Sequence, residues 1–181
     1  MRFRTAQVTG SEAHGMLTSY FAERAAGFPP TQGEYRPTFP EDAAFTPPVG
    51  VFLIVDAAVE PSGTGGTDEP NEPADTQEAE VAAIGCGGIR RIAPDPATGR
   101  TRYEVKHLWL TDAARGRGAG RALLVELERR AREFGAEELV LDTNASLTAA
   151  GGLYRSSGFV EIEPYNDNPN ATTWFAKRLS G

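Results

Sequence analysis

The stretch RGRGAGRALL, residues 115–124, sets three glycines among three arginines and then turns into a helix-forming run. It follows TRYEVKHLWL (101–110), whose β-branched and aromatic residues predict a strand. A strand that passes through glycines into a helix indicates an α/β architecture. The first amides of a helix have no helical partner and carry partial positive charge, and glycines leave them open to an anion.

The helix after the glycines is predicted over 121–136. Its apolar face consists of Leu123, Leu124, Leu127, Ala131 and Phe134. Two i,i+4 pairs, Glu126–Arg130 and Glu128–Arg132, support it, and Gly135 is the expected C-terminal cap.

Three functions fit the glycine stretch considered alone: a phosphate cradle, a flexible entry to a helix, or a basic patch for nucleic acid. It is no Walker loop, because no Gly-Lys-Ser/Thr follows, and its spacing does not match a dinucleotide fingerprint. Nucleic acid is disfavoured because glutamates accompany most arginines of the following helix. The cradle and the flexible loop both stay open at this point.

The formal net charge of −7 belongs to one segment. Residues 60–80 hold seven acids and no Lys or Arg, and the rest of the chain balances eighteen acids against eighteen bases. The segment contains no aromatic residue and no Ile, Leu or Val, so it cannot bury enough apolar surface to offset the entropy of ordering. We predict a disordered loop over 60–80, with an acidic docking tail as the alternative.

The remaining pattern predicts one α/β domain over residues 1–181 with a mixed sheet. Ser11 is the expected N-cap of a first helix with apolar residues at Met16, Leu17, Tyr20, Phe21 and Ala25. An irregular loop over 27–48 holds six prolines and several aromatic residues that can pack. The other predicted elements are strands over 2–8, 50–59, 81–92, 138–143, 159–165 and 172–179, and a helix over 146–158.

Composition points to a cytoplasmic protein. A single cysteine, Cys86, excludes an internal disulfide, which suits a reducing compartment. No apolar run reaches the ~18 residues of a membrane span, and the first ten residues lack the apolar stretch of a secretory signal. We therefore expect no membrane partner.

Two blocks of the sequence resemble one known family. Arg115, Gly118 and Gly120 match the pattern R/Q-x-x-G-x-G/A at a strand-to-helix turn. The block LVLDTN and the later LYRSSGF are similar to a second motif, with Asn144 and Tyr154 at its marked positions. Both blocks, in this order, resemble the GCN5-related N-acetyltransferase (GNAT) superfamily over residues 103–162.

The resemblance implies the acyl-CoA N-acyltransferase fold: a mostly antiparallel central sheet, splayed between strands 4 and 5 and flanked by helices. It implies acetyl-CoA as co-substrate. Backbone groups of Leu108, Trp109 and Leu110 would hold the pantetheine arm, Asn144 would contact that arm, and Tyr154 would lie near the thioester sulfur. The pyrophosphate would bind the amides of the loop Arg115, Gly116, Arg117, Gly118, Ala119, Gly120 and Arg121.

Acyl transfer to an amine needs the neutral amine, and a lysine-like amine of pKa about 10.4 is neutral only about once in 2,500 at pH 7. A carboxylate can take that proton through water, and Glu104, eleven residues before Arg115, is the candidate base. The alternative is a strand glutamate that faces solvent. Tyr154 could protonate the departing thiolate, or could be a core or groove tyrosine.

Two further residues are of types that could act in catalysis. His107 could be a second base, but strand alternation places it on the face opposite Glu104 unless a bulge intervenes. Cys86 could be a nucleophile, although two neighbouring glycines favour a small buried strand residue. No His, Cys and Asp cluster has the spacing of metal ligands, so no metal is expected.

The sequence therefore predicts an N-acetyltransferase that transfers an acetyl group from acetyl-CoA to a primary amine in a ternary complex. The acceptor is a small molecule or a peptide, in a groove formed by the first helix, residues 27–48 and residues 165–174. Tyr35, Phe39, Tyr165 and Trp174 would form an aromatic wall of that groove. A non-catalytic acyl-CoA-binding regulatory domain is the alternative function, and a homodimer is an assembly open to either.

Overall fold

The computed structural model describes residues 1–59 and 80–179. The predicted disordered loop over 60–80 lies outside the described residues except for Glu80, where a strand begins. The strands are β1 (Arg2–Thr5), β2 (Gly50–Val59), β3 (Glu80–Arg91), β4 (Arg102–Leu110), β5 (Glu138–Thr143), β6 (Val160–Ile162) and β7 (Thr173–Arg178). The helices are α1 (Ser11–Ala26), α2 (Ala119–Glu133) and α3 (Thr148–Ser156).

The seven strands form one sheet in the order β1-β2-β3-β4-β5-β7-β6. Every neighbouring pair is antiparallel except β4 and β5, which are parallel. β4 and β5 are parallel because α2 lies between them in the chain and returns the backbone from the end of β4 to the level where β5 starts. The expected mixed, mostly antiparallel sheet flanked by helices is confirmed.

Each face of the sheet is covered by its own hydrophobic core. Alternation along β2 sends Val51, Leu53 and Val55 to the side of α2, and Phe52 and Ile54 to the side of α1. The predicted apolar face of α2 is confirmed, since Leu123, Leu124, Leu127 and Ala131 are buried and Phe134 packs against them.

The ends of two helices differ in how well the sequence predicted them. Gly135 adopts φ +81° directly after α2, and the amide of Ala136 donates to the carbonyl of Ala131 at 2.9 Å, so the expected glycine stop is confirmed. The prediction that Ser11 caps α1 is wrong. Gly10 is the N-cap, without a side-chain hydrogen bond, and Ser11 is already helical. A serine hydroxyl beyond the cap position cannot serve the amides of the first turn in the capping geometry.

The pairing of β4 with β5 stops early. Its register runs from Arg102 with Glu138 to Glu104 with Val140, although β4 continues to Leu110 and β5 to Thr143. Beyond Glu104, the edge of β4 that faces β5 has no strand partner. The expected splay between the fourth and fifth strands is therefore confirmed, and it opens the sheet at the end where the glycine stretch lies.

Candidate active site

A cavity of about 510 Å³ begins where β4 and β5 separate. Its walls come from α1, residues 27–45, both separated strands, α3 and residues 166–171. Strand residues on the wall are Lys106, His107, Leu108, Asp142 and Thr143, and α1 contributes Tyr20, Phe21 and Arg24. The cavity thus joins the gap in the sheet to the aromatic loop that precedes β2.

The glycine stretch forms an exposed turn before α2. Gly116 and Gly118 adopt φ +74° and +83°, and a Cβ built on either meets nothing within 4 Å. The first hydrogen bond at the start of α2 runs from the amide of Ala122 to the carbonyl of Gly118, so the amides before it have no helical partner. An open turn with unpaired amides fits a pyrophosphate group of a coenzyme.

The arginines of this turn bind mainly protein groups. Arg115 donates to the carbonyl of Leu110 at 3.0 Å and to Glu23 of α1 at 2.5 Å. Arg121 donates to the carbonyl of Ser156 at 3.0 Å, at the end of α3. The two side chains hold the turn between α1 and α3, which both line the cavity. The backbone amides are therefore the groups left for an anion, with the exposed Arg117 beside them.

Glu104 lies in a buried polar network behind the cavity wall. Only 1% of its surface is exposed, so the alternative of a solvent-facing glutamate is wrong. Its Oε2 accepts from Arg90 at 2.7 Å, and its Oε1 accepts from Tyr165 at 2.8 Å. Its carboxylate also lies 3.5 Å from the ammonium of Lys106. Arg90, Lys106 and Asn166 contact Glu104 and line the cavity, whereas Glu104 itself is absent from the cavity wall.

Asp142, which the sequence pattern did not single out, is a carboxylate that lines the cavity, as is Glu41. Its Oδ1 lies 3.1 Å from the Nζ of Lys106, and its Oδ2 accepts from Asn166 at 2.7 Å. Burial alone raises the pKa of Asp142, but the Lys106 ammonium and the Asn166 amide together bring it below its ordinary value. An acid near the end of the apolar strand ELVLDT was the signal that could have revealed it.

Asn144 lines the cavity with its amide hydrogens already bound. Its Nδ2 donates to Gln32 at 2.7 Å and to the carbonyl of Asn170 at 3.1 Å. Its Oδ1 accepts from the amide of Ser146 at 3.0 Å, which leaves that oxygen one further lone pair. In this arrangement Asn144 ties β5 to residues 32 and 170, and any further contact has to come through Oδ1.

Tyr154 projects from α3 to the cavity wall and is 7% exposed. Its ring packs against Phe159 and Phe175 at 6.1 and 5.9 Å between ring centroids. Burial raises the pKa of Tyr154 to about 12. The phenol therefore keeps its proton at neutral pH, and it can donate a hydrogen bond to an anion in the cavity.

His107 occupies a bulge in β4. The register with β3 shifts between Cys86 and Gly88, and the backbone of His107 has φ +56°, a value that residues other than glycine rarely adopt. The bulge turns His107 to the face of Glu104, where its ring contacts Tyr20 and Phe21 at 5.5 Å between centroids. Burial, with Lys106 and Arg90 nearby, lowers the pKa of His107 to about 3, so its imidazole is neutral.

The aromatic wall differs from its prediction. Tyr35 and Phe39 line the cavity, but Tyr165 and Trp174 do not. Tyr165 donates instead to Glu104, whose charge adds to burial in raising the pKa of the phenol. Trp174 donates to Asn166 at 2.8 Å. The Tyr165 hydroxyl and the Trp174 indole N–H therefore stabilise the buried polar network, and the two rings do not form part of the cavity wall.

The other predicted residues lie as follows. Cys86 is fully buried and burial raises the pKa of its thiol to about 12, which confirms the buried strand residue. The side chain of Trp109 points to α1 and donates to Glu23 at 2.7 Å. Within residues 1–59 and 80–179, no three His, Cys, Asp or Glu side chains are grouped as metal ligands. None of the helices described is both long and apolar enough to cross a membrane.

The relatives found by comparison with known proteins include several that are named N-acetyltransferases. An uncharacterized N-acetyltransferase of Dictyostelium discoideum is 40% identical over 68 residues, which cover 38% of this chain and 32% of that protein. Human N-acetyltransferase 8B is 35% identical over 82 residues, which cover 45% of this chain and 36% of that protein. The chain thus spans about a third of the length of these two relatives.

Solved structures agree in fold. A GNAT-family acetyltransferase from Staphylococcus aureus superposes with a TM-score of 0.63 at 12% identity and covers 99% of this chain and 100% of its own. The sequence model of the acetyltransferase (GNAT) family matches residues 26–159, which include the glycine turn, Asn144 and Tyr154. With the splayed sheet, the open turn at α2 and this match over most of its length, the chain belongs to the GNAT family of acetyltransferases.

Proposed function

We propose that this chain transfers an acetyl group from acetyl-CoA to a primary amine by direct attack within a ternary complex. One observation carries the proposal: the β4–β5 ladder ends at Glu104, and the cavity that opens there is lined by both strands. The open glycine turn lies at the same end of the sheet. This arrangement offers an anion site and a reaction chamber at one end of the sheet.

Coenzyme A fits the residues present. Its pyrophosphate would bind amides of the loop 115–121, where Gly116 and Gly118 leave open space. The amide of Arg115 already donates to the carbonyl of Asp112 at 3.2 Å, so the amides of 116–121 are the ones available. The free edge of β4 at Leu108, Trp109 and Leu110 would hold the pantetheine arm, with Asn144 reaching it through Oδ1. When bound, acetyl-CoA supplies a thioester, whose carbonyl carbon is activated for attack by an amine.

The cavity must also accept a proton from the amine, because holding a lysine-like amine neutral at pH 7 costs roughly 4–5 kcal/mol. Glu104 is the proposed base, acting through water between Arg90 and Lys106. Its burial behind these side chains makes Asp142 the competing base, since that carboxylate faces the cavity directly. At the leaving group, Tyr154 is proposed to donate a hydrogen bond to the thiolate. A phenol with a pKa of about 12 stabilises that charge without giving up its proton fully.

Thiol release from acetyl-CoA across a panel of amines, with CoA binding measured by calorimetry, tests the proposal. Turnover on at least one amine supports it. Tight CoA binding without release on any amine would favour the alternative of a non-catalytic acyl-CoA-binding domain.

The two bases are separable by pH. A Glu104→Gln variant should lose turnover mainly at neutral pH and recover as the pH rises, because free amine then exists without a base. Asp142→Asn is the parallel variant. Whichever variant shows that recovery identifies the base, and a wild-type, pH-independent rate in Glu104→Gln would remove Glu104 from the mechanism.

A further inference from the structure

Arg24 of α1 lines the cavity with donors that no described residue accepts. Its Nη2 donates to Oε1 of Glu23 at 3.0 Å. Its Nε is buried and has no hydrogen-bond partner. No hydrogen bond or ion pair from Nη1 to another described residue is found either. A buried donor without an acceptor costs about 1–3 kcal/mol, and more when it is charged, so the Nε of Arg24 lacks an acceptor that a ligand in the cavity can supply.

Two of the other cations on this wall have their own acids, and a third, Arg36, is exposed. Arg90 is paired with Glu104, and Lys106 with Asp142. Arg24 shares its one acid, Glu23, with Arg115, which bonds the other carboxylate oxygen. Arg115 has a second acid, Asp112, at 2.8 Å, whereas Glu23 is the one acid bonded to Arg24 and it meets only Nη2.

The surroundings of Arg24 strengthen its attraction for an anion. Its Cζ lies 5.9 Å from the centre of the Tyr20 ring, and the adjoining wall is aromatic. Phe21 packs against Phe39 at 4.7 Å, and Phe28 against Tyr35 at 5.6 Å between ring centroids. Apolar rings exclude water, so an ion pair formed here is weakened less by solvent than one at the surface.

Building on the proposed function, we propose that the acceptor is a small amine that also carries a carboxylate, and that Arg24 binds this carboxylate. An arginine fork matches a carboxylate in shape. The apolar part of such an amino acid-like molecule would pack on Phe28, Tyr35 and Phe39.

Matched acceptors test this proposal with the whole protein and acetyl-CoA. One series is phenylalanine, phenylalaninamide and phenethylamine; the other is lysine, lysinamide and cadaverine, which places the carboxylate farther from the terminal amine. In at least one series, the carboxylate form should have a kcat/KM at least ~10-fold above its amide, the size of one charge-assisted hydrogen bond.

Arg24→Gln should abolish that preference by raising the KM of the carboxylate form and leaving the amide unchanged. Arg24→Lys keeps the charge without the fork and should restore part of the preference. Arg129→Gln is the matched control, because Arg129 is a half-exposed arginine on α2 that is absent from the cavity wall. It should leave both kcat/KM values at the wild-type level.

Equal kcat/KM for acid and amide in both series overturns the carboxylate proposal while the acetyltransferase activity stands. The same holds if Arg24→Gln lowers acid and amide equally. No thiol release from any amine overturns the proposed function instead. In that event, calorimetry of N-acetylphenylalanine and its amide on the CoA-loaded protein decides the carboxylate question, since equal or absent binding overturns it. Wild-type preference remains informative even if Arg24→Gln does not fold.

Discussion

Lys106 and Asp142 join β4 to β5 across the point where the backbone ladder has already ended, with 3.1 Å between Nζ and Oδ1. Glu104 and Val140 are the last paired residues, so Lys106 and Asp142 would be the next pair on that face if the ladder continued. A side-chain ion pair replaces the backbone bonds there. It spans the gap and still leaves the peptide groups of β4 open to a ligand.

We predict that Lys106→Met destabilises the protein by about 3 kcal/mol, because it leaves a buried carboxylate without its cation. Asp142 has a side chain only 6% exposed, and the neutral amides of Asn166 and Asn168 would be its remaining donors. Urea unfolding at pH 7 measures the loss. Arg129→Met, at a half-exposed pair with Glu126, is the control and should cost less than about 1 kcal/mol.

The same pair has a signed pH dependence. The pKa of Asp142 is lowered in the folded chain, so its stabilising contribution is present above its unfolded value of 3.8 and is lost as the pH falls through the folded value. The difference between wild type and Lys106→Met should therefore shrink below about pH 4. A constant difference down to pH 2 would show that the cation does not act through this carboxylate.

The sequence predicted those parts of the fold in which local pattern and tertiary environment agree. Strands over 50–59 and 138–143 have the expected bounds, because short apolar runs become buried strands. The glycine stop at Gly135 also follows from a local rule. The start of α1 did not, since both Gly10 and Ser11 can precede a helix and only the backbone decides between them.

The candidate site could be predicted from the sequence only where it depends on residues that are close together along the chain. The glycine turn and Tyr154 belong to local motifs, but the surroundings of Glu104 depend on Arg90 and Tyr165, which lie far from it in sequence. Alternation in β4 indicates which residues of that strand share a face with Glu104, but not which side chains of other elements cover that face. The bulge at His107 is a mismatch between two strands, so no single strand's pattern reveals it.

We predict that Gly118→Ala weakens CoA binding as well as the fold. A Cβ at Gly118 meets no atom within 4 Å, so its costs are the strain of a positive φ and the methyl group beside the open amides. Gly99→Ala is the matched control, because Gly99 has φ +71° and open space in a turn away from the cavity. Both variants should lose roughly 1–2 kcal/mol of stability.

Calorimetry with CoA distinguishes the two glycine variants. Gly118→Ala should raise the Kd by roughly tenfold or more, the equivalent of about 1.4 kcal/mol, and Gly99→Ala should not change it. Equal affinity in both variants would remove the turn before α2 as the pyrophosphate site.

We predict that Tyr154→Phe lowers kcat by roughly 100-fold, as the loss of a proton or hydrogen-bond donor in the transition state does. CoA affinity should stay near wild type, because the ring contacts with Phe159 and Phe175 remain. Tyr103→Phe is the control: its hydroxyl donates to the carbonyl of Pro48 at 2.7 Å, outside the cavity. It should cost about 1 kcal/mol of stability and leave kcat unchanged. An unchanged kcat in Tyr154→Phe would reduce Tyr154 to a packing residue.

The neutral His107 predicts a loss of stability in mild acid. Burial, followed by the charges of Lys106 and Arg90, lowers the pKa of His107 to about 3, although Asp142 acts in the opposite direction. Between pH 6.5 and 3 the unfolded chain therefore binds a proton that the folded chain does not. From pH 7 to 5 this should cost wild type up to about 2 kcal/mol.

His107→Asn, which tolerates the positive φ of the bulge, should lose less stability over that interval in urea unfolding. His14→Asn replaces the chain's other histidine on the exposed side of α1 and should behave as wild type. If His107→Asn retains the full wild-type loss, the imidazole is protonated in the folded protein and its environment is more polar than the contacts with Tyr20 and Phe21 imply.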